Sequence, residues 1–349
     1  MKESVHCPKH TEGSGAMRNI SIVLLFISLF MGCQKSSPQN PEQIDAIPAQ
    51  QITVAYTYQP QSTLVHVAMA KGYFTEAGLQ VRPLMHTYGK AALQSVIDQK
   101  ADFATVAETP VMFNVLKSEN IYVIANIESS NTNNAIVARK AAGISEPRDL
   151  KGKRIGFTPG TTSDFFLDTL LTANGLSRKD IQPLALKPEE MRESILAKKV
   201  DAVSTWNYPL TQIRLQLGSE GVVFYDREIY TETFNIAARQ DFVKNNPETV
   251  RRFLRALIRA EDFVMHNPDE AQGIMSVATQ IDRDLVREVW GAFKYHVMLD
   301  QTLLLTLEDE TRWAIKHKLT DKTDMPDYLN FIHLDSLSEV KPEAVSLKR

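Results

Sequence analysis

Two stretches of this chain align without a gap: "KADFATVAETPV", Lys100–Val111, and "KVDAVSTWNYPL", Lys199–Leu210. Lysine falls on lysine, Asp102 on Asp201 and Pro110 on Pro209. Upstream of each, "AYTYQPQST" and "GFTPGTTSD" stand in the same strand–turn–helix order, and each is followed by a helix ending in "AGL" or "NGL". A repeat of this kind constrains the fold strongly. The chain must build one α/β unit twice, each with strands and helices in alternation. Strand–helix–strand units of this length imply parallel pairing with right-handed crossovers.

The first unit reads as strands at "ITVAYTY", "LQVRPLM", "DFATVA" and "IYVIANI". Ser62 or Thr63 is placed to cap the first helix. The second unit has strands at "RIGF", "IQPLAL", "DAVSTW" and "VVFY". After "FNIAARQ" the pattern turns helical. Asn246-Pro247 and Asn267-Pro268 each look like a cap followed by proline at the first helical position. This helical part is expected to return and pack on the first unit. With 349 residues the chain is long enough for two such lobes.

The N-terminus carries a different signal. Met17-Arg18-Asn19 precedes the apolar run Ile20–Met31. At about 1.5 Å per residue this run is too short to span a hydrocarbon core of about 30 Å. It reads as the apolar centre of a secretion signal. The run ends in "LFMGC", which resembles a bacterial lipobox with Cys33 as the lipidated residue and Phe30 where leucine is usual. Residues 1–32 are then a signal peptide, with 1–16 a misassigned start upstream of Met17. Residues 33–51 are polar and proline-containing and read as a flexible tether. The cysteines are Cys7 and Cys33 alone. A chain processed before Cys33 therefore has no disulfide, no cysteine–zinc site and no free cysteine nucleophile.

Several chemistries find no support. Gly152-Lys153 lacks the glycine a P-loop needs, because Pro147 stands there. No G-x-S-x-G elbow surrounds Ser163, and no histidine pair has metal-ligand spacing. His66 and His86 read as helix-surface or strand residues, and Asp168 as part of a solvated helix face. The formal charge of −3 gives no general attraction to nucleic acid. These features predict a protein that is not an enzyme and holds no metal or cofactor.

"AMAKGYFTEAGLQV", "DLKGKRIGF" with "ANGL", "KKVDAVSTW" and "FVKNNPETVRRFLRALIRA" together resemble substrate-binding proteins of ABC importers. The group is the nitrate, sulfonate, taurine and thiamine-precursor one, and the resemblance runs from about Ile52 to Leu319. It implies a two-lobed type II periplasmic-binding fold, in which each lobe is a mainly parallel sheet flanked by helices. Lobe 1 would comprise 52–132 and 239–349, and lobe 2 residues 133–238. Crossover strands are expected near Asn131–Ala138 and Phe234–Ala238. The implied partners are a small-molecule ligand, a permease with its cytoplasmic ATPase, and a membrane reached only through the lipid; the protein itself is expected to be a monomer, with no nucleic-acid partner. The ligand would be a small organic anion or zwitterion, sulfonate- or taurine-like, or nitrate. A thiamine pyrimidine precursor is the alternative, and an extracytoplasmic sensor or fold-related enzyme a further one.

In open α/β units ligands sit beyond the carboxyl ends of the strands. That rule selects Tyr58, Gln59, Tyr88, Gly89, Glu108 and Thr109 in the first lobe. In the second it selects Thr161, Thr162, Ser163, Trp206, Asn207 and Tyr208. Thr161–Ser163 open a helix whose free N–H groups suit an anion, and a capping role for Thr162 or Ser163 is compatible with that. Glu108 would pair with a ligand ammonium, accept from an aminopyrimidine, or pair with a basic residue of the facing lobe. The aromatic residues would form walls suited to an organic ligand.

Overall fold

The duplicated pattern becomes two separate sheets in the computed structural model, which describes residues 49–348. In chain order the strands are β1 (Gln50–Thr57), β2 (Leu79–His86), β3 (Phe103–Ala107), β4 (Ile121–Ser130), β5 (Ala135–Arg139), β6 (Arg154–Phe157), β7 (Gln182–Ala185), β8 (Ala202–Thr205), β9 (Gly221–Phe224), β10 (Glu232–Arg239) and β11 (Lys294–Met298). One sheet has the order β11-β4-β10-β3-β1-β2, the other β7-β6-β8-β5-β9. Strand β1 pairs parallel with β2 and β3, and β6 pairs parallel with β7 and β8. The strand that enters each sheet from the other one runs antiparallel: β5 against β8 and β9, β10 against β3 and β4. The sheets are thus mixed, with three parallel strands at one edge (β3-β1-β2 and β8-β6-β7) and an antiparallel entering strand beside them.

The chain passes between the sheets twice, in residues 131–134 and 225–231. Residues Phe234–Ala238, expected as a crossover, already lie inside β10 in the first sheet. Strand β1 begins at Gln50, so the last residues assigned to the tether are paired with β2. The proposed lipidation site Cys33, the signal peptide and the rest of the tether lie outside the described residues.

The two units match in atomic detail. Asp102 Oδ2 accepts the N–H of Thr53 in β1 at 2.7 Å, and Asp201 Oδ2 accepts that of Arg154 in β6 at 3.0 Å. Thr57 N–H donates to Ser62 Oγ at 3.3 Å, and Thr158 N–H to Ser163 Oγ at 3.0 Å. Gln99 and Lys198 both take a left-handed backbone, with φ of 59° and 60°, just before these aspartates. Each aspartate ties the start of its strand to the neighbouring strand, which explains its recurrence in the sequence.

These serine bonds also correct a capping expectation. Helix Thr63–Ala70 has no side-chain cap, because the Ser62 hydroxyl is turned to Thr57 and Thr105. Helix Thr162–Ala173 likewise has none, since Ser163 Oγ serves Thr158 and Thr161 Oγ1 donates to Thr158 O at 2.7 Å. Asn246 and Asn267 occupy the N-cap positions of helices Pro247–His266 and Pro268–Thr279, but their amides donate back to Phe242 and Phe263.

Helix Pro247–His266 packs its apolar face on the first sheet. Phe253 stacks on Phe103 with ring centres 4.1 Å apart and on Phe74 at 5.1 Å. The alternating apolar spacing of "VRRFLRALIRAEDFV" leaves the arginines on the outer side, where Glu248 pairs with Arg251 and Arg252. Helix Gln301–Lys316 reaches the second lobe, for Trp313 Nε1 donates to Asp168 Oδ2 at 2.9 Å. Asp168 is therefore buried and paired with Arg178, not solvated. His66 is buried as well; its Nε2 lies 2.9 Å from Thr57 O, and burial lowers its pKa to about 4. No helix among the described residues is long and apolar enough to cross a membrane.

Candidate ligand-binding site

A cavity lies where the carboxyl ends of both sets of parallel strands face each other. About 340 Å³ of space lies there when the open mouth is counted in, and little of it is enclosed. The first lobe contributes Gln59 and Gln61 after β1, Tyr88, Gly89 and Lys90 after β2, and Ala107 and Pro110 at the end of β3. The second contributes Thr161 and Thr162 after β6 and Trp206 after β8. Glu232 and Phe234 of β10 complete the wall.

Six of the twelve residues singled out from the sequence are on this wall: Gln59, Tyr88, Gly89, Thr161, Thr162 and Trp206. Gly89 is there for a steric reason. A Cβ on it would stand 2.9 Å from Val106 Cα and 3.2 Å from Thr105 O, so only glycine lets the helix Gly89–Ile97 lie this close to β3. At Gly160 the backbone is left-handed, with φ of 65°. That turn brings Pro159 O within 2.9 Å of Lys90 Nζ, a hydrogen bond from one lobe to the other across the cavity.

The other six lie off the wall, each for a visible reason. Tyr58 packs on a cluster that contains Tyr208, Met275, Val286 and Phe293, so both tyrosines face helices of the C-terminal part. Asn207 Oδ1 accepts from Thr211 Oγ1, and its N–H donates to Asn133 Oδ1 at 3.1 Å. Ser163 is consumed by the Thr158 turn. Thr109 Oγ1 donates to Glu310.

Glu108 is the most informative of these. It is wholly buried, and β10 covers it. Its Oε1 accepts from Tyr230 Oη, and its Oε2 accepts from Thr233 N–H at 2.8 Å and Thr233 Oγ1 at 3.1 Å. Burial, with the charge of Glu232 nearby, pushes its pKa up to about 8. Glu310 and Glu128 are also fully buried and pushed well above the usual carboxylate range by burial. No basic partner from the facing lobe meets Glu108 among the described residues.

The carboxylate that does face the cavity is Glu232. Asn133 Nδ2 donates to its two oxygens at 3.1 and 2.9 Å, Gln61 Nε2 to Oε1 at 3.2 Å, and Asn134 Nδ2 to Oε2. Burial raises its pKa, while the bonds from Asn133, Gln61, Asn134 and Thr162 hold it down. Asn133 and Asn134 belong to one crossing segment and Glu232 ends the other, so this cluster clasps both connections between the lobes. The signal was present in the sequence: an acidic residue heading the apolar strand "TFNIAA", and the asparagines of "NTNN" before β5. Lys90, Gln61 and Phe234 were not anticipated either.

At the helix end, Asp164 does not face the cavity. Its Oδ1 accepts from Arg178 at 2.7 Å and its Oδ2 from Gly160 N–H at 2.9 Å. The carboxylate nearest the start of helix Thr162–Ala173 on the cavity side is instead Glu232, which Thr162 meets. Among the described residues there is no cluster of His, Cys, Asp or Glu that could hold a metal ion.

Known proteins of similar sequence and fold can be set beside this geometry. The chain is 28% identical over 273 residues to the riboflavin-binding protein RibY of Chloroflexus aurantiacus, covering 73% of this chain and 76% of that protein. It is 24% identical over 230 residues to the taurine-binding periplasmic protein of Escherichia coli, covering 64% and 70%. The crystal structure of the periplasmic aliphatic sulphonate binding protein SsuA from Escherichia coli superposes with a TM-score of 0.69 at 15% identity, covering 78% of this chain and 94% of SsuA. That likeness establishes the periplasmic-binding-protein fold. Residues 59–271 match the family model described as NMT1/THI5 like, and the chain belongs to the NMT1/THI5-like family.

Proposed function

We propose that this chain is the solute-binding lipoprotein of an ABC importer. It captures a small organic anion or zwitterion, sulfonate- or taurine-like, or nitrate, and delivers it to a permease driven by a cytoplasmic ATPase. It works outside the cytoplasm as a monomer, tethered by lipid on Cys33, and it binds its solute without transforming it. The observation that carries this reading is the cavity itself. It is small, aromatic on Tyr88, Trp206 and Phe234, and lined by residues of both lobes at the strand ends, most of them from the first. Closing two lobes on a solute excludes water and strengthens the polar contacts within. The relatives named for taurine and riboflavin binding support it. A second reading, a thiamine pyrimidine precursor, is favoured by the same aromatic walls together with Glu232.

A thermal-shift screen of the purified protein tests the reading. The panel contains taurine, alkanesulfonates, nitrate and aminopyrimidines. A ligand at one hundred times its Kd stabilises the folded state by about 2.7 kcal/mol, which raises the melting temperature by several degrees. At least one panel member should do so. A protein that none of them stabilises is not the binding protein proposed.

A further inference from the structure

The polar lining of the cavity is unbalanced. Glu232 is held by the amides of Gln61, Asn133 and Asn134 and by the side chain of Thr162, all neutral, and no ion pair reaches it among the described residues. Gln59 and Gln61 each leave their Oε1 buried with no partner among the described residues. Their orientation is fixed by the other end of each amide. Gln59 Nε2 donates to Thr87 O at 3.0 Å, and Gln61 Nε2 donates to Glu232. Turning either amide over would set oxygen against oxygen. The wall therefore presents two carbonyl oxygens that lack donors, beside a carboxylate that is hydrogen-bonded but has no counter-charge in contact among the described residues; the Lys90 ammonium on the same wall is turned to Pro159 O. Buried acceptors without donors are costly, and a buried charge without a counter-charge more so.

On the importer reading above, we propose that Glu232, with Gln59 and Gln61, selects a solute bearing an N–H donor end and rejects amine-free sulfonates and nitrate. The donor end is an ammonium, an amidinium or the amine of a heteroaromatic ring. Such a group supplies the missing donors, and in its cationic form the missing charge. An amine-free sulfonate or nitrate brings only oxygens to this side of the wall, leaves both carbonyl oxygens unmet and adds a second negative charge beside Glu232. Any anionic end of the solute would lie toward Lys90, the cationic residue on the wall. Glu232 is thus the specificity-determining residue, in the place the sequence repeat suggested for Glu108.

Calorimetric titration with matched probes decides the matter. The pairs are taurine against ethanesulfonate, and 4-aminopyrimidine against 4-methylpyrimidine. A hydrogen bond to a charged group corresponds to roughly tenfold to hundredfold in affinity. The amine-bearing member of a pair should bind the wild type tighter by about that factor. Glu232→Gln should remove the advantage and leave the amine-free member unchanged or tighter. Should that variant fail to fold, the wild-type comparison stands alone. Equal or tighter binding of the amine-free member overturns the proposal, as does a Glu232→Gln variant that weakens both members equally. If only an amine-free solute stabilises the wild type in the wider screen, the selection is refuted and the importer reading survives. If no solute binds, both fall.

Discussion

Glu108→Gln offers a stringent test of the buried carboxyls around the lobe connections. The glutamate carboxyl titrates at about 8 when folded, against an ordinary value of 4.5. The folded chain therefore holds this proton more tightly than the unfolded chain. The stability so gained is fully present below pH 4.5 and is lost as the pH rises through 8. A carboxyl that titrates there contributes on the order of 1 kcal/mol more at pH 7 than at pH 9, an effect shared with Glu232 and Glu310 beside it. His66 and His296, both held near 4 by burial, are neutral in the folded state throughout this window, and their small unfolded-state contribution near pH 7 is common to both proteins. The amide cannot ionise, so the variant should lose that part of the pH dependence. At pH 7 the amide replaces a carboxyl that is already protonated and of nearly the same shape, so the variant should cost about 1 kcal/mol or less there. Thermal denaturation of both proteins at pH 7 and pH 9 measures the difference; groups remote from Glu108 cancel in the subtraction, while Glu232, Glu310 and Glu128, which feel its charge, belong to the same measured effect. The wild type should lose roughly 2–4 °C more than the variant over this interval. Equal pH dependence in the two proteins would refute the protonated, buried state assigned to Glu108.

Two further substitutions probe the wall and the tether. Gly89→Ala should cost about 1–3 kcal/mol, because its Cβ meets the backbone of β3 and the helix must shift; it should also weaken solute binding, read by melting temperature and calorimetry. Cys33→Ala should abolish labelling by a fatty acid in growing cells and leave the protein free of the membrane. Label retained on that variant contradicts the lipid anchor.

The repeat made the architecture legible because its recurring residues do structural work. Asp102 and Asp201 close equivalent strand junctions, and Ser62 and Ser163 close equivalent turns. Half of the wall followed from the same logic, since Gln59, Tyr88, Gly89, Thr161, Thr162 and Trp206 sit at strand ends that the pattern places. What the pattern hid lies on β10. That strand enters the first sheet between β3 and β4 and has no counterpart inside the repeated stretches. It covers Glu108 and carries Glu232 into the cavity, so the two carboxylates exchange the roles a reading of the repeat would give them. Tyr58 and Tyr208 were hidden by distance along the chain, because the helices that bury them come from residues 268–290. Periodicity marks which residues are apolar, but not which remote helix will cover them.

The central claim is that two lobes close on a small solute, and the distance between them tests it most directly. The sole natural cysteines are Cys7 and Cys33, so with both replaced by serine, spin labels can be placed cleanly at Gln94→Cys on the first lobe and Glu193→Cys on the second, both exposed positions. Pulsed dipolar spectroscopy, with and without the solute that gives the largest thermal shift, reads the separation. The account predicts a shorter and narrower distance distribution when the solute is bound. A distribution unchanged by a saturating solute would contradict it.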